Sequence, residues 1–159
     1  MANVNPIPQG YHTVTPNLVV QDAAAALDFY RRAFGADETL RMPGPGGKIM
    51  HAEFRIGDSV LMLAEEMPDM GNKSPRTLDG SPVSFYVYIS DVDAAYKRAI
   101  DAGGKEVMPV ADMFWGDRAG WLEDPFGHKW ALAQHVADLS PEEIQKGQEE
   151  FFAKAHATT

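Results

Sequence analysis

The chain repeats itself, and that repeat limits its possible folds more than any other feature. An aspartate that opens a helical pattern stands at Asp22 and again at Asp91. A glycine closes that pattern at Gly35 and Gly104, and a second glycine sits in a strand–turn–strand segment at Gly57 and Gly127. The three separations are 69, 69 and 70 residues. A constant period under different side chains marks a duplicated unit.

Within each copy the order of elements reads βαβββ. In the first, residues 13–20 alternate as a strand, with Pro16 arguing for a partly unpaired place in the ladder. Asp22 caps a helix that carries Leu27, Tyr30 and Phe34 at helical spacing and stops at Gly35. Strands follow at 37–42, 48–56 and 59–65, with Pro43 to Gly47 as a loop. In the second copy a strand at 83–89 leads to a helix from Asp91 to Gly103-Gly104. Strands near 105–110, 118–123 and 128–135 complete it, with a loop at 111–117. Asp124-Pro125-Phe126-Gly127 supplies turn chemistry for the last hairpin. Ser140-Pro141-Glu142-Glu143 starts a helix to about residue 155, with Ser140 as N-cap and Glu143 completing a capping box. The predicted class is α+β: lead-in 1–11, first module 12–66, linker 67–81, second module 82–136 and a C-terminal helical extension 137–159.

Composition narrows the function classes. The net charge is −9, and the 14 Lys and Arg residues are scattered, so no basic patch offers itself to nucleic acid. No apolar run approaches the ~18 residues of a membrane span, and the N-terminus reads as no secretory signal. The absence of cysteine excludes disulfides and thiolate metal sites and suits a cytoplasmic protein. No Gly-rich phosphate loop precedes a helix, and no nucleophile is placed beside a base.

Several short motifs resemble the vicinal oxygen chelate superfamily of glyoxalase I, bleomycin- and fosfomycin-resistance proteins and extradiol dioxygenases. They are Leu18 to Asp22 followed by Asp28-Phe29-Tyr30 and Phe34-Gly35, then Ser90 to Ala95 with Ala102-Gly103-Gly104, and Asp124 to Gly127. Met50 to Glu53, Leu61 to Ala64 and Gly116-Asp117-Arg118 are similar to its PhnB-like branch. The resemblance implies two tandem βαβββ modules whose curled mixed sheet lines a U-shaped cavity, with a C-terminal helix added. It also implies a divalent metal held by His, Gln or Glu from the first and last strand of each module, and pairing into a homodimer. Carried over position by position, those ligands fall on Thr15 and Ser84, on Leu61 or Met62, and on Ala131. None is an imidazole, amide or carboxylate, so the expectation is no metal and no cofactor. Another grouping, His51, Glu53, Glu123 and His135, lacks any ligand spacing.

Strand parity selects the candidate lining. If Thr15 and Ser84 face inward, so do Asn17, Val19, Tyr86 and Tyr88, while Val14, Leu18, Phe85 and Val87 face the helices. On the third strand Met50, Ala52, Phe54 and Ile56 should face the helices, leaving His51, Glu53 and Arg55 inward; the repeat offset adds Trp121 and Glu123. Trp115 either covers the pocket or seals the module edge. Asp117-Arg118 reads as a structural ion pair or turn, and His128 as an exposed turn residue. The expected ligand-binding set is therefore Asn17, His51, Glu53, Tyr86, Tyr88, Trp115, Trp121 and Glu123. The expected function is binding of a small organic molecule in an aromatic, mildly acidic cavity, stacking on a planar ligand that is basic or hydroxylated. The alternative is a lyase, isomerase or dioxygenase of the same superfamily, metal-dependent or not, with His51 or Glu53 as general base.

Overall fold

The computed structural model describes residues 4–156, and side chains as far as residue 154. The outermost residues of the lead-in and of the C-terminal extension, 1–3 and 157–159, lie outside the described residues.

Two four-stranded mixed sheets form, one per repeat. The first holds β1 (Asn17–Val20), β2 (Asp37–Pro43), β3 (Ile49–Ile56) and β4 (Ser59–Glu65) in the order β1-β4-β3-β2. The second holds β5 (Ser84–Tyr88), β6 (Lys105–Asp112), β7 (Asp117–Glu123) and β8 (Lys129–His135) in the order β5-β8-β7-β6. In each, the first strand runs parallel to the last and the other pairs are antiparallel. Helices α1 (Ala23–Phe34) and α2 (Pro75–Leu78) precede the second sheet. Helix α3 (Val92–Asp101) lies within it, and α4 (Pro141–His156) closes the chain.

The helix ends follow the capping residues. Asp22 accepts from the Ala25 N–H at 2.9 Å and Asp91 from the Ala94 N–H at 3.1 Å. Gly35 closes α1 in the left-handed conformation, at φ 67°. Its counterpart works differently. The turn after α3 is made at Gly103, while Gly104 is needed for space, because a Cβ there would meet the Ala99 carbonyl oxygen at 2.9 Å. Ser140 and Glu143 exchange the expected capping-box bonds.

Four boundaries differ from the pattern. β1 begins at Asn17, not residue 13, because Pro16 has no N–H to donate; its carbonyl still accepts from the Met62 N–H at 2.8 Å. Val14 is accordingly exposed. β2 and β3 slip register between Met42 and Pro43, so Ile49 turns inward and Met50, expected under the helices, is 42% exposed. The loop expected at 111–117 shrinks to 113–116 as β6 and β7 extend. The segment between modules carries α2, capped by Ser74, with Pro75 buried. Glu66 accepts from the Thr77 hydroxyl and the Ser74 N–H, and these bonds draw its carboxyl down to about 2.

The modules meet helix to helix, α1 against α3. Aromatic side chains from both fill the junction: Phe34 and Phe85 lie 4.7 and 4.6 Å from Trp130, and Tyr30 stacks on Phe54 at 5.2 Å. At its centre is Asp124, 1% exposed. One oxygen accepts from the Tyr30 hydroxyl at 2.8 Å and the Trp130 indole N–H at 2.9 Å; the other accepts from the Phe126 and His128 N–H groups at 2.9 Å. His128 is therefore buried instead of exposed, and its Nε2 lies 3.1 Å from the Val19 carbonyl oxygen. Phe85 is only partly buried, since β5 lies at a sheet edge. Replacing Asp124 by Ala strands all four donors, two of which share one carboxylate oxygen. Urea unfolding of Asp124→Ala should show a loss of about 3–5 kcal/mol, the range for breaking a buried charged network. A loss below ~1 kcal/mol would mean that the rings hold the junction unaided.

Candidate functional site

The face of the second sheet turned away from its helices is shaped by small residues. Register puts Tyr86 opposite Ala131 and Tyr88 opposite Ala133 on one side of β8, with Trp121 opposite Ala131 and Ala119 opposite Ala133 on the other. All three alanines are buried. Over this floor the large side chains lean together. Tyr86 lies 5.3 Å from Tyr88 and 6.4 Å from Trp121, and Trp115 lies 6.4 Å from Trp121.

Asp117 fixes these rings. It opens β7 on the same face as Trp121 and is 3% exposed. Its Oδ2 accepts from the Tyr86 hydroxyl at 2.9 Å, the Tyr88 hydroxyl at 3.1 Å and the Trp115 indole N–H at 3.2 Å. Its Oδ1 lies 2.9 Å from His135 Nδ1, and His135 Nε2 lies 3.0 Å from Asp138. Burial pulls the Asp117 carboxyl upward, but the bonds from His135, Tyr86, Tyr88 and Trp115 outweigh it and set it below the usual range. Burial, helped by the Asp117 charge and opposed by Trp115, pushes the Tyr86 hydroxyl up to about 12. Asp117 and Arg118, read from sequence as a structural ion pair or turn, do not pair with each other. The two residues point to opposite faces of β7, and Arg118 is bound by Asp93 at 2.8 Å and Asp112 at 3.0 Å.

The first module is equipped differently. His51 Nε2 and the Glu53 carboxylate lie 3.2 Å apart, and the Tyr11 hydroxyl donates to Glu53 from the lead-in. Residues 6–13 thereby pass over this face, leaving a recess of about 410 Å³ bordered by Ile7, Tyr11, Thr15, Glu53 and Met62. The bonds from Tyr11 and then His51 lower the Glu53 carboxyl despite its partial burial. A general base working near neutrality needs the opposite shift.

The eight candidate residues thus divide. Tyr86, Tyr88, Trp115 and Trp121 come together in one group, and His51 joins Glu53 in another. Among the described residues no hydrogen bond, ion pair or ring contact links the two groups. Glu123 faces Arg76 at 3.9 Å. Asn17 lines a separate cleft with Val19, Val83, Phe85 and His128. The sequence brings up Asp117 only beside Arg118 and His135 only in a grouping without ligand spacing, and it does not bring up Tyr11 as a site residue. The signal available for Asp117 is parity alone, four residues before Trp121 on the same strand face.

A family model described as the glyoxalase/bleomycin resistance protein/dioxygenase superfamily matches residues 11–132. The chain belongs to that superfamily. An uncharacterized protein of Mycobacterium tuberculosis (strain H37Rv) is 47% identical over 135 residues, which is 83% of this chain and 79% of that protein. Among solved structures, TioX from Micromonospora sp. ML1 is similar with a TM-score of 0.61 and 29% identity, over 79% of this chain and 99% of its own. A PhnB protein of Bacillus cereus shares the fold with a TM-score of 0.60 and 20% identity, over 77% of this chain and 99% of its own.

The divalent metal that the superfamily resemblance implies does not fit the donors present. Thr15 and Met62 offer a hydroxyl and a thioether beside the Tyr11 recess, and Ser84 offers another hydroxyl. Ala131 offers only a methyl group, enclosed under Tyr86 and Trp121. Such a set lacks the imidazole and carboxylate groups that hold such ions. The grouping of His51, Glu53, Glu123 and His135 is not assembled either, because Glu123 pairs with Arg76 and His135 with Asp117 and Asp138. Among the described residues no cluster of three or more His, Asp or Glu side chains is arranged to hold a metal.

The network around Asp117 sets a pH signature. The carboxylates of Asp138 and Asp117 raise the His135 imidazole above its ordinary 6.5. Its contribution to stability is then complete below 6.5 and fades as pH rises through the raised folded value. Asp117 has the opposite sign: its contribution is present above 3.8 and lost as pH falls through its lowered folded value. Denaturant titrations should therefore show wild type exceeding His135→Gln most near pH ~5–6 and least near ~8. A margin that widened toward pH ~8 would show that His135 is not held as the cation.

Proposed function

We propose that this protein binds a small organic molecule without the superfamily's metal, using the aromatic face of the second module as its main wall. One observation carries the reading: over Ala131, where a metal ligand of the family would stand, Tyr86 and Trp121 lean together instead. The site has exchanged a coordination centre for ring surface. Along the edge of β5 a cleft of about 620 Å³, bordered by Ile56, Leu61, Phe85 and Trp130, adjoins this wall at Tyr86 and Tyr88 but does not include Trp115 or Trp121. Cytoplasmic residence belongs to the same proposal; among the described residues no helix is long and apolar enough to cross a membrane.

Calorimetric titration with Zn²⁺, Ni²⁺ and Mn²⁺ should detect no tight one-to-one site. A micromolar or tighter site that disappears in His51→Ala would instead support a relocated metal enzyme.

The reading includes a homodimer. Helix α4 presents Phe151 and Phe152 half-exposed beside a groove lined by Pro141, Ile144 and Gln148. Covering such surfaces between two copies suits an obligate interface of upwards of ~2,000 Å². Light scattering at low micromolar concentration should give twice the chain mass, and deleting residues 138–159 should weaken association. A monomer under those conditions would remove the dimer from the proposal.

A further inference from the structure

We propose that Tyr86, Tyr88, Trp115 and Trp121, gathered around Asp117, receive a compact organic cation of the alkylammonium or quaternary ammonium class. The inference rests on the reading of this face as the ligand wall and names the chemistry that the wall selects.

Three observations point the same way. The first is ring orientation. Tyr86 is tilted 60° to Tyr88 and 70° to Trp121, and Trp121 lies 77° from Trp115. A flat ligand needs parallel walls to slide between, and none of these neighbours is parallel. Successive faces turned steeply to one another suit a compact, roughly spherical group, which can meet more than one ring at once. The second is the fate of the polar ends. Both tyrosine hydroxyls and the Trp115 indole N–H are already donated to Asp117. An anionic or carbonyl ligand therefore finds three of the four ring donors occupied, with the Trp121 indole N–H left over, and what remains for contact is chiefly π-surface. The third is charge. Asp117, His135 and Asp138 form one linked group that carries a net negative charge even with His135 as the imidazolium. The neighbouring guanidinium of Arg118 is turned to the opposite face and held by Asp93 and Asp112. Ring faces backed by a carboxylate, with few free donors, attract a cation through the ring quadrupole and through Coulomb energy.

Fluorescence and calorimetric titrations at constant ionic strength test this on the full chain, with tetramethylammonium and choline as cations. The neutral isostere 3,3-dimethylbutan-1-ol and neutral naphthalene alcohols are the comparisons. The cations are expected to bind and the neutral isostere to bind roughly tenfold weaker, as a desolvated cation–π contact implies. Trp121→Leu and Tyr88→Leu should each weaken the cations about three- to tenfold. Tyr88 is 64% exposed, so its variant tests the ring without endangering the fold. Equal binding of choline and its isostere overturns the proposal. If the naphthalene alcohols bind in a Trp121-dependent manner and no cation does, the ligand class is wrong while the wall stands as a binding site. If no compound gives a Trp121-dependent signal, the inference and the function it rests on both fail.

Discussion

The carboxylate of Asp124 holds the two modules in their present relation. Removing it from water is costly, and the cost is offset only because four donors converge on its two oxygens. Those donors belong to both halves of the chain: Tyr30 stands on α1 of the first module, while Phe126, His128 and Trp130 belong to the last hairpin of the second. The Tyr30 ring stacks on Phe54 of the first sheet and the Trp130 ring lies against Phe34 and Phe85. One side chain therefore fixes the aromatic junction, and the direction in which each sheet presents its free face follows from that junction.

The duplication breaks where this junction is made. The first hairpin, between β3 and β4, turns through Gly57-Asp58 alone, whereas the second runs from Asp124 to His128. The longer turn includes Asp124, Phe126 and His128, the residues that reach the first module. It also shifts the correspondence of the third strands. Register places Glu53 opposite Met62 and Trp121 opposite Ala131, so Glu53 is matched by Trp121 and not by Glu123. The separation of 70 residues between glycines misplaces β7 by two positions. Two is an even number, so the strand faces survive the error.

Much of the fold can be read from the sequence because it depends on local rules. The capping aspartates, the closing glycine of α1, the capping box of α4 and the two-residue alternation all act within a few neighbours. Trp121 falls opposite Leu122 across β7 for that reason, with Leu122 fully buried in the core. What escapes is non-local or breaks a period. The slip at Pro43 that exposes Met50 depends on the partner strand. Burial of His128 depends on Val19, and the role of Tyr11 depends on Glu53, more than forty residues away. Asp117 is the strongest case. Its four partners lie on three separate segments, and an aspartate beside an arginine has an obvious local reading that the sheet forbids by turning the two side chains apart.

The divergence of the two faces has a physical logic. Equivalent places on the two sheets carry Asn17, Val19 and Glu53 in the first module and Tyr86, Tyr88 and Trp121 in the second. A carboxylate on an otherwise open face needs donors, and the first module supplies them from His51 and from the lead-in, so that face is partly covered by its own chain. Large rings on an equivalent face need a floor that leaves them room and an anchor for their polar ends. Ala119, Ala131 and Ala133 give the room, and Asp117 gives the anchor. With the hydroxyls turned toward Asp117, the second face is left offering mainly aromatic surface. The small side chain at position 131 and the aromatic wall above it thus go together. A carboxylate at position 131 in place of alanine would occupy the space into which Tyr86 and Trp121 lean.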